Sequence, residues 1–186
     1  RLEQFLRVVA ARTGTELNFS NLASDLGQSV NTIRRWMDAL ERSYLVTSVP
    51  PYSRNPSARA IKRPKLYMVD AALAQAGSGD PVPSGLHFET LVANDLLAWR
   101  DEVGGRGLFH WRIASGPEVD FILRQGEQAV PVEVKCADAV GRDDARHLSR
   151  FLEQHGEAAM GVLLSSDPNI RWVRERVLAA PWWAVL

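Results

Sequence analysis

Apolar residues in the first forty positions recur at helical spacing. Leu2, Phe5, Leu6 and Val9 form one series, which stops near Gly14. Ser20 is placed to cap a short helix carrying Leu22, Ala23 and Leu26 that ends at Gly27, and Ser29 to cap a longer one. In the longer helix Val30, Ile33, Met37 and Leu40 make the inward stripe, which leaves Asn31, Arg34, Arg35 and Asp38 outward. Two β-rich runs follow, 44–49 and 65–69, separated by Pro50, Pro51, Pro56 and the basic residues Arg59, Lys62 and Arg63.

A helix, a tight turn, a helix and a ribbon is a winged-helix layout, predicted over residues 1–73 with the basic stretch as its wing. Residues 74–85 are dominated by Gly, Ser, Pro and Ala and read as a linker. The second module, 86–186, opens with a helix from His87 to about Arg100, its stripe being Phe88, Leu91, Val92, Leu96 and Trp99. Short strands are predicted at 108–113, 118–123 and 129–136, the last two joined as a hairpin around Gln125-Gly126-Glu127. An amphipathic helix with Leu148, Phe151 and Leu152, a strand at 160–164 and a last strand at 182–186 complete it, with 170–180 open between helix and strand. Helix on sheet makes this an α/β or α+β core.

Composition and charge narrow these expectations. Hydrophobic residues at 46% and charged residues at 24% are globular values, which excludes a disordered tail or a coiled-coil rod. A single Cys, Cys136, rules out an intrachain disulfide and a cysteine zinc site, so a reducing, cytoplasmic location is expected. No apolar run approaches the roughly 18 residues a membrane helix needs, so no membrane partner is expected. The net charge of zero divides unevenly: Lys plus Arg against Asp plus Glu is 11 to 6 over residues 1–79 and 11 to 16 over 80–186, or +5 and −5. The cationic part suits phosphate, the anionic part suits cations. A first residue of Arg1 suggests a piece of a longer polypeptide.

The predicted hairpin carries the chemistry. Val119, Phe121 and Leu123 are expected on one face of its first strand and Glu118 and Asp120 on the other; on the second, Val132 and Val134 oppose Glu133 and Lys135. A loop of about four residues sets Asp120 across from Glu133 and Glu118 across from Lys135. Two adjacent carboxylates repel unless a cation lies between them, and hard oxygen ligands suit magnesium or manganese. A lysine beside them suits a phosphate or the attacking water. Glu89, one turn into the preceding helix, would add a carboxylate. The plainer alternative is a cross-strand pair of Glu118 with Lys135, with Asp120 and Glu133 solvated. Against it, the chain has only three Lys (62, 65 and 135) beside nineteen Arg, so a lysine at this place is not composition noise.

Gly85-Leu86-His87-Phe88-Glu89, Trp111-Arg112, Ser115-Gly116-Pro117-Glu118-Val119-Asp120-Phe121 and Pro131-Val132-Glu133-Val134-Lys135 together resemble the C-terminal domain of unknown function of prokaryotic AAA-type ATPases. That domain is similar to the restriction-endonuclease-like, PD-(D/E)XK superfamily. The likeness extends to Pro64-Lys65-Leu66-Tyr67 with Asp70 and the winged helix before it. The implied fold is α/β, a winged-helix module followed by a restriction-endonuclease-like central mixed sheet flanked by helices. The resemblance implies that Asp120, Glu133 and the carbonyl of Val134 hold magnesium or manganese. It gives Lys135 the water and the scissile phosphate, and has Glu89 complete the acidic cluster. The superfamily's Pro-Asp is Val119-Asp120 here, and some members keep the fold without cleavage. The chain has no Gly-x-x-x-x-Gly-Lys-Ser/Thr run, so ATP belongs to a separate N-terminal domain absent from this sequence.

Asn31, Arg34 and Arg35, with Arg59, Lys62 and Arg63, read either as a nucleic-acid surface or as a face that docks on the ATPase. Expected partners are DNA and the ATPase domain of the same longer chain, and a homo-oligomer is compatible with the sequence. The other class of function is a catalytically silent interaction module coupling the ATPase to a partner. One of His110 and Trp111 is expected in the core, His147 and His155 on a solvated helix face, and Cys136 as a small core residue.

Overall fold

A computed structural model describes residues 2–53, 63–102, 104–113 and 116–184. Among them it has six helices and two sheets in a mixed α/β arrangement. Helices α1 (Leu2–Ala10), α2 (Phe19–Leu26) and α3 (Val30–Arg42) pack against a small antiparallel sheet of β1 (Thr15–Glu16), β3 (Lys65–Met68) and β2 (Val46–Val49), in that order. Phe5, Val9, Leu22, Ile33, Met37 and Leu66 fill the space between them. Ser29 caps α3, its hydroxyl accepting from Thr32 N at 3.1 Å. The cap of α2 is Asn18 rather than Ser20: the Asn18 side chain accepts from Ser20 N and Asn21 N. Gly27 ends that helix in the left-handed region at φ 59°, where a Cβ would be strained.

Residues 74–85, read as a linker, hold the second half of another helix, α4 (Ala71–Ser78), capped by Asp70. Its small residues serve contact. Gly77 lies so close to α1 that a Cβ there would come within 2.7 Å of the Ala10 Cβ. Helix α5 (Gly85–Glu102) follows, burying His87, Thr90, Val92, Ala93, Leu96 and Leu97. That stripe is turned from the expected one, with Leu91 and Trp99 only half-buried.

The second sheet has six strands: β4 (Arg106–Arg112), β5 (Glu118–Gln125), β6 (Gln128–Val134), β7 (Gly161–Ser165), β8 (Arg171–Arg174) and β9 (Val177–Pro181). Their order is β4-β5-β6-β7-β9-β8, with β6–β7 and β7–β9 parallel and the other pairs antiparallel. Helix α6 (Arg146–Gln154) makes the crossover from β6 to β7. One sheet face is covered by α6 through Leu148 and Phe151 on Trp111, Val119, Ile122 and Leu163. The other is covered by α5 through Val92 and Leu96 on Phe121, Val132 and Leu164. Both faces are therefore apolar, and His110 and Trp111, adjacent on β4, are both buried. Residues 170–180 resolve as strands β8 and β9, and Trp182–Ala184 is a 3₁₀ turn instead of a strand.

The small sheet is not a separate body. Val49 and Tyr67 belong to the core under α5, and Tyr52 to the core under α6. Thr13 Oγ1 and Thr90 Oγ1 are 2.8 Å apart in the buried seam.

Candidate functional site

The β5–β6 ladder runs from Phe121↔Val132 to Gln125↔Gln128, closed by Gly126 and Glu127 with Gly126 at φ 60°. The ladder stops one residue short of Asp120 and Glu133. The connection is tighter than four residues, and the alternation on β5 is broken. Against β4 the pairs step from Phe109↔Ile122 to Trp111↔Val119, three residues on β5 for two on β4. This bulge puts Val119 in the core with Ile122, and Phe121 in the opposite core with Val132, so the expected common face of Val119, Phe121 and Leu123 is not formed. It also aims Glu118 and Asp120 out at one end of the sheet.

There they meet a lysine from the small sheet. Lys65 Nζ lies 2.6 Å from Glu118 Oε1, 3.0 Å from Glu89 Oε1 and 3.3 Å from Asp120 Oδ1, with its side chain 4% exposed. Tyr67, two residues on and fully buried, donates its hydroxyl to Glu89 Oε1 at 2.6 Å. Asp120 Oδ2 accepts from Val134 N at 2.9 Å, so Val134 meets Asp120 through its amide. Glu133, its side chain 5% exposed, accepts from Lys135 Nζ on Oε1 at 2.7 Å, while its buried Oε2 has no hydrogen-bond partner among the described residues. His147 Nδ1, on α6, is 4.0 Å from Glu133 Oε1. Arg112 lies 3.7 Å from Glu118 and 3.6 Å from Glu16 at the outer edge.

These groups enclose an open cleft of about 380 Å³. Burial and the neighbouring Asp120 push Glu89 up to about 7 and Glu133 up to about 8, in both cases against a lysine partner that favours the charged form. For Glu118 burial also opposes ionisation, but Lys65 and Arg112 outweigh it and hold the carboxyl below its ordinary range. Burial works against the Lys65 ammonium, and Asp120, Glu89 and Glu118 together overcome it, keeping Lys65 well above the usual lysine range. Lys135 is held up in the same way by Glu133. His147 is lowered by burial and by Arg146.

Glu89, Asp120, Glu133 and Lys135, distant in sequence, thus converge on one cleft. Lys65, Tyr67 and His147 stand with them without having been assigned a part from sequence, and Glu118, expected across from Lys135, pairs with Lys65 while Lys135 pairs with Glu133. Among the described residues no three His, Cys, Asp or Glu side chains form a ready-made metal cage. The Lys65 ammonium is what lies among Glu89, Glu118 and Asp120. Asn31, Arg34 and Arg35 are exposed on α3, away from its buried stripe, with the Arg34 guanidinium over the Phe19 ring at 4.4 Å. Arg63 is exposed, and its carbonyl is 3.1 Å from His110 Nε2. Arg59 and Lys62 lie outside the described residues. Two other expectations change: His155 stacks on Phe151 with ring centroids 4.0 Å apart, and Cys136 is exposed.

Comparison with known families divides the chain near residue 83. Residues 1–82 match a domain of unknown function (DUF8612), and residues 84–185 match a domain of unknown function (DUF4143). The second match takes in over half of the sequence, and the chain belongs to that family, which occurs as a C-terminal domain of AAA-type ATPases. A stretch of 107 residues, 58% of this chain, is 27% identical to a trimethylamine-oxide aldolase of Ruegeria pomeroyi. The chain spans about 13% of that protein's length. No solved structure matches significantly. Among the described residues no helix is long and apolar enough to cross a membrane.

Proposed function

We propose that this chain is the nucleic-acid-acting C-terminal part of an AAA-type ATPase. In this reading a winged-helix module is joined to an endonuclease-like domain whose acidic cleft hydrolyses phosphodiesters with magnesium or manganese. One observation carries it: Glu133 is enclosed beside Asp120 and Lys135, and its Oε2 has no donor among the described residues. An enclosed carboxylate oxygen without a partner costs about 1–3 kcal/mol or more, and a hard cation satisfies it. The residues fit such an ion in kind, and Asp120 and Glu133 would hold it. When bound, the cation supplies charge stabilisation to a phosphate.

The remaining groups do their work from fixed positions. Val134 N orients Asp120 through Oδ2, leaving Oδ1 toward the cleft. Lys135 is 38% exposed, so its ammonium can reach a phosphate without losing contact with Glu133. Tyr67 and Lys65 fix Glu89 at the back wall. Asn31, Arg34 and Arg35 face water on the most cationic part of the chain, which favours contact with DNA phosphates.

The reading is tested with purified protein and duplex, single-stranded and structured DNA, with manganese or magnesium. Cleavage is expected that disappears in Asp120→Asn at unchanged circular dichroism; cleavage that survives Asp120→Asn refutes it. A second reading, the catalytically silent module coupling the ATPase to a partner, is favoured by the Lys65 ammonium standing among three of the carboxylates. It requires that no cation condition gives cleavage and that Glu133→Gln leaves the ATPase's output unchanged.

A further inference from the structure

We propose that Lys65 is a positioning residue of the cleft, a tethered counter-cation delivered by the first family domain that holds the carboxylates of the second together and competes with a divalent ion for them. The inference rests on the divalent-cation reading of the same cleft and assigns it a regulator built from another part of the chain.

The charges of the cleft come from both family domains. Lys65 lies on β3, within the domain matched over residues 1–82, and Glu89, Glu118 and Asp120 lie within the domain matched over 84–185. An ammonium that is 4% exposed has left water, and three carboxylates at 2.6–3.3 Å replace the hydration it lost. One of the three is Asp120, whose Oδ1 is the oxygen left over after Oδ2 takes the Val134 amide. The oxygen that a metal would use is therefore the one the lysine touches.

Charge counting points the same way. Glu89, Glu118, Asp120 and Glu133 carry four negative charges when ionised, and Lys65 and Lys135 return two positive ones. The remaining deficit admits one divalent ion, but with Lys65 in place that ion sits next to an ammonium in a partly dry site, where like charges repel strongly. Removing the ammonium removes its repulsion of an incoming cation and frees the carboxylate oxygens it occupied. A residue that only holds the fold together would do the opposite, because its loss loosens the ligands.

The experiment measures manganese binding by calorimetry and by the paramagnetic signal of the free ion, with the full chain, its Lys65→Met variant and Asp120→Asn. Thermal melts with and without manganese accompany it. Lys65→Met is expected to melt lower than wild type without metal, to bind manganese at least tenfold more tightly, and to gain more melting temperature from it. Asp120→Asn is expected to lose the binding. If Lys65→Met does not fold without metal, Lys65→Gln, which keeps a hydrogen-bond donor without the charge, takes its place in the same comparison. An affinity equal to or weaker than wild type in the folded Lys65 variant overturns the competition and leaves the metal reading standing. Absence of manganese binding in both wild type and the Lys65 variant overturns both.

Discussion

Replacing Tyr67 by Phe removes one oxygen from the back wall of the cleft and leaves the ring. Tyr67 is fully buried, its hydroxyl is 2.6 Å from Glu89 Oε1, and its ring packs on Phe121 with centroids 5.6 Å apart. The packing survives the change, so the loss is the hydrogen bond. A bond to a charged acceptor contributes about 1.5–3 kcal/mol, and one between neutral groups about 1 kcal/mol. Lys65 stays 3.0 Å from the same oxygen, which keeps the loss in the lower part of the first range, about 2 kcal/mol. Burial and Asp120 push Glu89 up to about 7, while burial and Glu89 keep the phenol protonated well above its ordinary value. The acceptor is therefore ionised at about pH 8.5 and neutral at about pH 5.5. Urea unfolding of wild type, Tyr67→Phe, Glu89→Gln and the double variant closes a cycle. The Tyr67–Glu89 coupling is expected near 2 kcal/mol at the higher pH and about half of that at the lower. A coupling below about 0.3 kcal/mol, or one indifferent to pH, refutes the reasoning.

Glu133→Gln tests the other raised carboxyl. Its pKa moves from 4.5 in the ordinary state to about 8, so between those values the native chain holds a proton that the unfolded chain has released. Metal-free stability then falls as pH rises through that window, and Glu133→Gln, which cannot ionise, gains on wild type by a few kcal/mol, roughly, from its lower to its upper end. Equal differences in urea midpoint at both ends contradict this. Gly77→Val forces a side chain into the seam where a Cβ already meets Ala10 Cβ at 2.7 Å, at an expected cost of about 1–3 kcal/mol, read as a lower thermal midpoint. An unchanged midpoint means that α1 and α4 are not closely packed in solution.

What could be read in advance was local. Gly27 ends α2, and Ser29 with the stripe Ile33, Met37 and Leu40 defines α3, by caps and spacing within a few residues. The hairpin itself was legible because Gln125-Gly126-Glu127 separates two β-rich runs. The bulge in β5 was not, since it depends on how β4 pairs with that strand. Residues 74–85 misled for a physical reason: the small residues that resemble a linker are those that let α4 approach α1. Lys65 was named in a motif but not placed at the cleft, because 55 positions separate it from Asp120. One signal was nevertheless present. Lysine is scarce in this chain, and the scarcity that singled out Lys135 applies equally to Lys65.

Tyr52 illustrates what the shared cores mean for anyone trimming the protein. Its ring lies 5.8 Å from that of Phe151 and 5.9 Å from that of Phe109, and its hydroxyl donates to Glu157 at 2.8 Å. A polypeptide cut back to residues 84–185 keeps Glu89, Glu118, Asp120 and Glu133 yet forfeits this ring along with Val49, Lys65 and Tyr67. Greasy surface under both layers would face water, and mutually repelling anions would be left at the mouth. The border drawn by sequence families is thus no seam along which the molecule can be parted.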